Sequence, residues 1–291
     1  MNTANNKKQI LQTSVFIGIV VLLVLILVTL IGLILLRPNL FAKVDNTTAT
    51  TEDHTTEPSY TEETRLAPNP FGANDFTLEN GYLQCNTDTA VFGIDVSGYQ
   101  GVIDWQQVKD AGVEFAIIRV AGRGYGQKGV LYDDGYAQAN YEGAKAAGIQ
   151  VGAYFFSQAI TPAEAVEEAN YILDYTKDWE LDFPIVYDWE YISADARTAN
   201  VDSETLTACT AAFCHTVENA GHEAMIYFNP HQAHKKFDLE ALTDYGFWLA
   251  LYANQMDYPY KVDMWQYSES GTVPGIEGKV DLNLYFPYDN A

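Results

Sequence analysis

Asp188 and Glu190 stand two residues apart, directly after the apolar run Phe183-Pro184-Ile185-Val186-Tyr187. A strand points residues i and i+2 to the same side, so the two carboxyl groups share one small space. Repulsion and partial burial there raise the pKa of one of them, making it a proton donor near neutral pH. Burying two unpaired acids is costly, which favours a functional reading of the pair. Asp95 ends an earlier strand-like run and Asp281 sits in a late one. Asp95 taken alone could equally cap a following helix. Paired carboxylates without an accompanying metal-ligand cluster suit hydrolysis of glycosidic bonds. Tyr154, Phe156, Tyr187, Trp189, Tyr227, Trp248, Tyr252 and Trp265 lie in or beside strand-like segments and could pack against sugar rings. For any single one of them, a place in the core is the more common use of an aromatic side chain.

The elements that must position these groups follow an alternating plan. Short β-branched and aromatic runs at 91–96, 115–120, 150–156, 184–189, 223–228, 247–252, 263–267 and 280–285 read as strands. Helical stretches follow the first five, at 104–111, 133–147, 161–176, 202–220 and about 230–243. Thr161-Pro162-Ala163-Glu164 opens one of them with a cap, a first-turn proline and an acid. The last three strands are too close together for ordinary crossover helices. The spacing therefore predicts an α/β fold, a βα barrel whose final part has lost its helices. Active groups in such a barrel gather at the carboxyl ends of the strands. Closure makes the first and last strands neighbours and lets Asp95 face Asp281.

Composition narrows the function. There are 16 Lys and Arg against 39 Asp and Glu, a formal charge of -23, so nucleic acid is not an expected partner. Val15 to Leu36 is an uncharged run of 22 residues. As a helix it would span about 33 Å, enough for a bilayer core of ~30 Å. It is too long for a signal-peptide core, and Leu35-Leu36-Arg37-Pro38 is a poor cleavage site. The expected organisation is a short cytoplasmic tail over 1–14, a transmembrane helix over 15–36, a Thr/Glu/Pro-rich stalk over 37–81 and a barrel over 82–291. Lys7 and Lys8 before the span balance Arg37 and Lys43 after it, so cation counting does not orient the chain. An acidic body translocated behind an amino-terminal anchor gives a single-pass protein of the cell membrane with the body outside.

Other signals are discounted. Gly124-Tyr125-Gly126-Gln127-Lys128-Gly129 fits a dinucleotide fingerprint on paper, but no helix opens inside it and no acid ends the next strand. It reads as a glycine-rich loop at a cleft rim. His231 and His234 lack the spacing and partners of a zinc site, so neither a metal nor a cofactor is expected. Cys85, Cys209 and Cys214 are an odd count and read as thiols without a catalytic role.

Several blocks, taken in order, resemble glycoside hydrolase family 25 lysozymes. They are Phe92-Gly93-Ile94-Asp95-Val96-Ser97-Gly98-Tyr99-Gln100-Gly101, then Ile103-Asp104-Trp105, Phe115-Ala116-Ile117-Ile118-Arg119-Val120 and Gly152-Ala153-Tyr154-Phe155-Phe156-Ser157. Pro184-Ile185-Val186-Tyr187-Asp188-Trp189-Glu190, Ile226-Tyr227, Trp248-Leu249-Ala250, Trp265-Gln266-Tyr267 and Val280-Asp281-Leu282-Asn283 complete the set. The resemblance implies a (β/α)5(β)3 barrel and cleavage of the β-1,4 bond between N-acetylmuramic acid and N-acetylglucosamine in peptidoglycan. It implies Glu190 as general acid, Asp188 as the group that stabilises charge beside the reacting sugar, and Asp95 and Asp281 as the rest of an acidic floor. Tyr154, Phe156, Tyr227, Trp248 and Gln266 are the expected sugar-contacting residues. Two alternatives stay open: a non-catalytic protein that binds or assembles peptidoglycan, and a hydrolase of another N-acetylglucosamine-containing glycan. Attack by the substrate's own acetamide and direct attack by water are both compatible with these residues.

Overall fold

Alternation along the strands decides which residues face the centre of the molecule. In β4 (Phe115–Arg123) Phe115 and Ile117 point one way, while Ala116, Ile118 and Val120 point the other. The first set joins Val186, Met225, Trp248 and Met264 in an inner cluster. The second joins the larger layer between sheet and helices. A sheet buried on both faces in this way has to be closed and wrapped. The computed structural model describes residues 64–72, 74–87 and 89–288, all in one compact unit spanning Thr61–Ala291.

The strands that close the barrel are β3 (Val91–Val96), β4, β6 (Gln150–Ser157), β7 (Ile185–Trp189), β8 (Ala224–Phe228), β9 (Gly246–Ala250), β10 (Met264–Gly271) and β11 (Val280–Tyr285), while the short β5 (Leu131–Asp133) pairs antiparallel with the end of β4. Neighbours run parallel from β3 round to β10. The final strand, β11, is antiparallel to both β10 and β3 and completes the ring. Its register sets Asp281 opposite Asp95. Helices α1 (Trp105–Asp110), α2 (Ala137–Ala146), α3 (Pro162–Tyr175), α4 (Ser203–Asn219) and α5 (Pro230–Lys235) follow the first five barrel strands, and none follows β9 or β10. The expected βα barrel with a helix-poor end is therefore observed. Thr161 and Asp202 cap α3 and α4 by accepting from Glu164 N and Thr205 N. Close packing inside the ring has a residue-level signature at Gly93, where a Cβ would collide with the Phe115 ring.

One expectation needs correction. The expected stalk runs to residue 81, but residues 64–72 and 74–81 pack onto the barrel. Arg65 N donates to Glu240 Oε2 at 2.7 Å, and Asn69 Nδ2 donates to the carbonyls of Met256 and Tyr258. A hairpin of β1 (Phe76–Glu79) and β2 (Tyr82–Cys85) follows, turning through Asn80 and Gly81 at φ 52° and 90°. Both central residues sit in the left-handed region, the geometry that an Asn-Gly pair favours in a tight hairpin. Phe76 and Leu83 are buried, and the Phe76 ring meets Phe71, Trp265 and Phe286. The polar flavour of the preceding segment masked this hairpin in the sequence. The hydrophobic run at 15–36, the tail before it and the stalk as far as residue 63 lie outside the described residues; among those described, no helix is long and apolar enough to cross a membrane.

Because Phe76 belongs to the core, Phe76→Ala should lower the unfolding free energy by about 3–5 kcal/mol in urea titration. A change within ~0.5 kcal/mol, the size seen at exposed surface sites, would return this segment to the stalk.

Candidate active site

Inside the barrel the inward-facing residues change character from one end to the other. The end formed by the strand starts is filled by Phe115, Ile117, Val186, Met225 and Met264. Towards the carboxyl ends the same alternation continues with Arg119 on β4, Tyr154 and Phe156 on β6, Asp188 on β7, Tyr227 on β8 and Gln266 on β10. Together with Asp95, Glu190, Trp248 and Asp281 these line a cleft of about 510 Å³. All nine residues singled out from the sequence, the four acids and the five sugar-contacting candidates, therefore lie on one cavity wall. Tyr187, Trp189 and Trp265, each one position out of phase with an inward-facing residue, are fully buried on the outer face of the ring instead.

A chain of hydrogen bonds converges on Asp95. Gln266 Nε2 and Asn283 Nδ2 donate to the same oxygen, Asp95 Oδ2, at 2.7 and 2.9 Å. Gln266 Oε1 in turn accepts from Tyr227 Oη at 2.8 Å and Tyr252 Oη at 3.1 Å. Asn283 Oδ1 accepts from Trp248 Nε1 at 2.9 Å. The Trp248 ring stands edge-on to Tyr227 with centroids 4.9 Å apart. Each amide thus has its carbonyl and amino ends fixed, which sets the orientation of the floor before any ligand arrives.

Burial raises the proton affinity of the acids. It pushes Asp95 up to about 6, against the pull of the Asn283 and Gln266 hydrogen bonds. Burial, the Asp95 charge and a hydrogen bond given to Asp95 push Asp281 up to about 8, so Asp281 is the partner that carries the proton. Asp188 is held well above the ordinary carboxylate range by burial, then by Glu190 and Asp95, with Arg119 opposing. Glu190 is raised by burial and by Asp95. Asp188 Oδ1 is buried and has no hydrogen-bond partner among the described residues.

The backbone that carries the acid pair is clamped on both sides. Gln232 Nε2 donates to the Trp189 carbonyl at 2.9 Å, and Gln158 Nε2 donates to the Glu190 carbonyl at 3.0 Å. Thr198 Oγ1 holds the other end of the Gln158 amide at 2.7 Å. Behind them Arg123 reaches Glu168 at 2.6 Å and the Gly129 carbonyl at 3.0 Å, tying the glycine-rich loop to α3. That loop forms turns rather than opening a helix, and Gly124 and Tyr125 lie on the cleft rim.

Sequence reasoning passed over Arg119 and Asn283 as site residues. Arg119 pairs with buried Asp134 at 2.8 Å and sits 5.0 Å from the Tyr99 ring centre. It is the one cation lining the cleft among the described residues. The signal was present: Arg119 is in phase with Phe115 and Ile117, and Asn283 with Asp281, so both had to face inwards. Among the described residues no group of His, Cys, Asp and Glu is arranged to hold a metal ion, and the three cysteines are free thiols.

The profile of glycosyl hydrolases family 25 matches residues 94–276, more than half of the chain. The chain belongs to that family. It is 28% identical over 195 residues to an autolytic lysozyme of Clostridium acetobutylicum, covering 66% of this chain and 55% of that protein. It therefore spans little more than half the length of that relative. Lysozyme M1 of Streptomyces globisporus is 28% identical over 209 residues, 68% of each chain. The crystal structure of a bacterial lysozyme from Streptomyces coelicolor superimposes with a TM-score of 0.54 at 27% identity, covering 69% of this chain and 94% of that one. The modular autolysin LytC of Streptococcus pneumoniae shares the fold at a TM-score of 0.62 and 24% identity, covering 72% and 52%. Asp95, Asp188 and Glu190, which line the carboxylate cleft, lie within the matched residues.

The raised acids fix the sign of a pH effect. An acid whose folded pKa exceeds its unfolded value near ~4 favours the folded state while protonated, and that contribution is lost as pH rises through the folded pKa. Asp95 at about 6, Glu168 at about 7 and Asp281 at about 8 all act this way. The thermal midpoint should fall steadily from about pH 5 to about pH 9, and Asp281→Asn should flatten the upper part of that slope. A midpoint that rises over this range would contradict the assignment.

Proposed function

We propose that this chain is an N-acetylmuramidase, cutting the β-1,4 bond between N-acetylmuramic acid and N-acetylglucosamine in bacterial peptidoglycan. The observation that carries the reading is the Asp188/Glu190 pair at the carboxyl end of β7, Asp188 buried and Glu190 half-buried, with both acids raised and one Asp188 oxygen left without a partner among the described residues. Glu190, whose carboxyl holds its proton more tightly through burial and the Asp95 charge, gives that proton to the leaving glycosidic oxygen. A substrate donor on the open oxygen of Asp188 favours its charged form against the burial that raises it, and as the carboxylate it stabilises the positive charge that develops at the anomeric centre. Its open oxygen suits the N–H of an acetamido sugar. Asp95 and Asp281 share a proton below the pair and keep a nearby charge that Glu190 feels. Tyr154, Phe156, Tyr227, Trp248 and Gln266 supply the aromatic and amide surface of the sugar site. Lysozymes among the relatives, and a peptidoglycan ligand bound to the pneumococcal autolysin, support the choice of substrate.

The same reading places the enzyme at the outer face of the cell membrane, held by residues 15–36 with the amino terminus inside. The support is the uncharged run of 22 residues from Val15 to Leu36. Tethering keeps the cleft at high local concentration beside the wall.

Full-length wild type and Glu190→Gln are to be compared on purified peptidoglycan, following new reducing ends and identifying the terminal sugar by mass spectrometry after borohydride reduction. Reduced N-acetylmuramic acid should appear with the wild type and fall by at least ~100-fold in the variant, the usual share of a general acid. N-acetylglucosamine ends, or equal activity of the variant, would sink the assignment. Deleting residues 15–36 should move the protein from the membrane pellet to the soluble fraction. Retention in the pellet would dismiss the anchor.

A further inference from the structure

Past Tyr252 and Glu269 the cleft adjoins a second concavity of about 450 Å³, which shares those two residues with it. One side is the turn end of the β1–β2 hairpin, through Leu78 and Gly81. The hairpin lies before residues 94–276, the part of the chain that the family profile matches. The opposite side is the segment after β9, carrying Tyr252 and Asn254, and the floor is the outer part of β10 with Ser270. Two irregularities of register, between Gln266 and Ser268 and between Ser268 and Gly271, bend β10 where it leaves the ring.

The walls are fixed by contacts that already exist in the fold. Tyr82 Oη donates to the Thr272 carbonyl at 3.1 Å, and Leu83 is fully buried beneath the hairpin. Tyr252 is held through its hydroxyl on Gln266 Oε1, the same amide that orients Asp95. Leu78 and Tyr252 nonetheless leave 52% and 50% of their surface open. The groove thus combines half-exposed apolar surface with hydroxyl, amide and carboxylate groups. No cation lines it among the described residues, which disfavours phosphate or any other anion. A neutral, hydroxyl-rich polymer with apolar ring faces fits this surface, and the continuity through Tyr252 and Glu269 means that one strand can occupy both sites.

We propose that the hairpin groove binds the continuation of the glycan strand whose scissile bond lies in the cleft, adding sugar contacts remote from the reaction. This rests on the muramidase reading for the nature of the strand. Remote contacts raise the affinity for long strands over short ones without altering the acid pair.

The test reads binding rather than cleavage, using the full-length Glu190→Gln chain and peptide-free peptidoglycan glycan fragments of four and eight sugars in calorimetry. The longer fragment should bind about tenfold more tightly, a difference of ~1.4 kcal/mol. Adding Leu78→Asp, which alters a half-exposed side chain, or Ser270→Trp, which fills the groove from its floor, should each abolish the length advantage and leave the affinity for the shorter fragment unchanged. Equal affinity for the two fragments, binding of neither, or a length advantage that survives both substitutions would overturn the proposal. Failure of the muramidase reading would show separately, as a wild type that releases no N-acetylmuramic acid ends.

Discussion

Four carboxyl groups gathered in a water-poor space at one end of a barrel would repel one another if all were charged, and the surrounding structure can be understood as the answer to that constraint. Part of the answer is protonation: Asp281 keeps a proton and gives a hydrogen bond to Asp95. Part is hydrogen bonding, since Gln266 and Asn283 both serve Asp95 Oδ2. Part is charge, through Arg119, itself held by Asp134. Asp188 has only Arg119 to offset its burial, and one of its oxygens is met by no described group. A buried acceptor left open is costly in the resting protein, and a substrate donor that fills it recovers that cost on binding.

The position of the acids follows from how the barrel closes. In a ring of parallel strands all carboxyl ends lie at one rim. Here β11 runs the other way and contributes its beginning, not its end, to the same rim. Asp281, second in that strand, thereby meets Asp95 near the end of β3. The reversal also removes the need for a crossover helix between β10 and β11. The packed end of the barrel supplies rigidity: Phe115, Ile117, Val186, Met225 and Met264 fill it without polar atoms, leaving polar side chains only where the cleft begins.

The chain before the family-matched region is more than a leader to the barrel. Leu66, Phe76 and Leu83 bury themselves against it, and the hairpin walls a groove next to the cleft. Thr, Glu and Pro content earlier in the segment predicted an unstructured connection through residue 81. Asn80-Gly81 was a local hairpin signal within it, but a two-stranded hairpin is marginal alone. Its stability comes from Trp265, Tyr267 and Phe286, residues about two hundred positions away that no local pattern could connect to it.

By itself the sequence determined the order of the eight barrel strands and their helices and the α/β barrel class, because periods of two and of three to four residues are local properties of the backbone. It also marked Asp95, Asp188, Glu190 and Asp281, since acids at the ends of apolar runs stand out against their neighbours. Only the tertiary structure decided which aromatics line the cleft and which fill the core: Tyr227 and Trp248 face inwards, Tyr187 and Trp189 outwards, although all four lie in similar runs. It alone joined Gln266, Asn283, Trp248 and Tyr227 into one network on Asp95. Those contacts depend on ring closure and strand register, and both are set by packing between segments far apart in the chain.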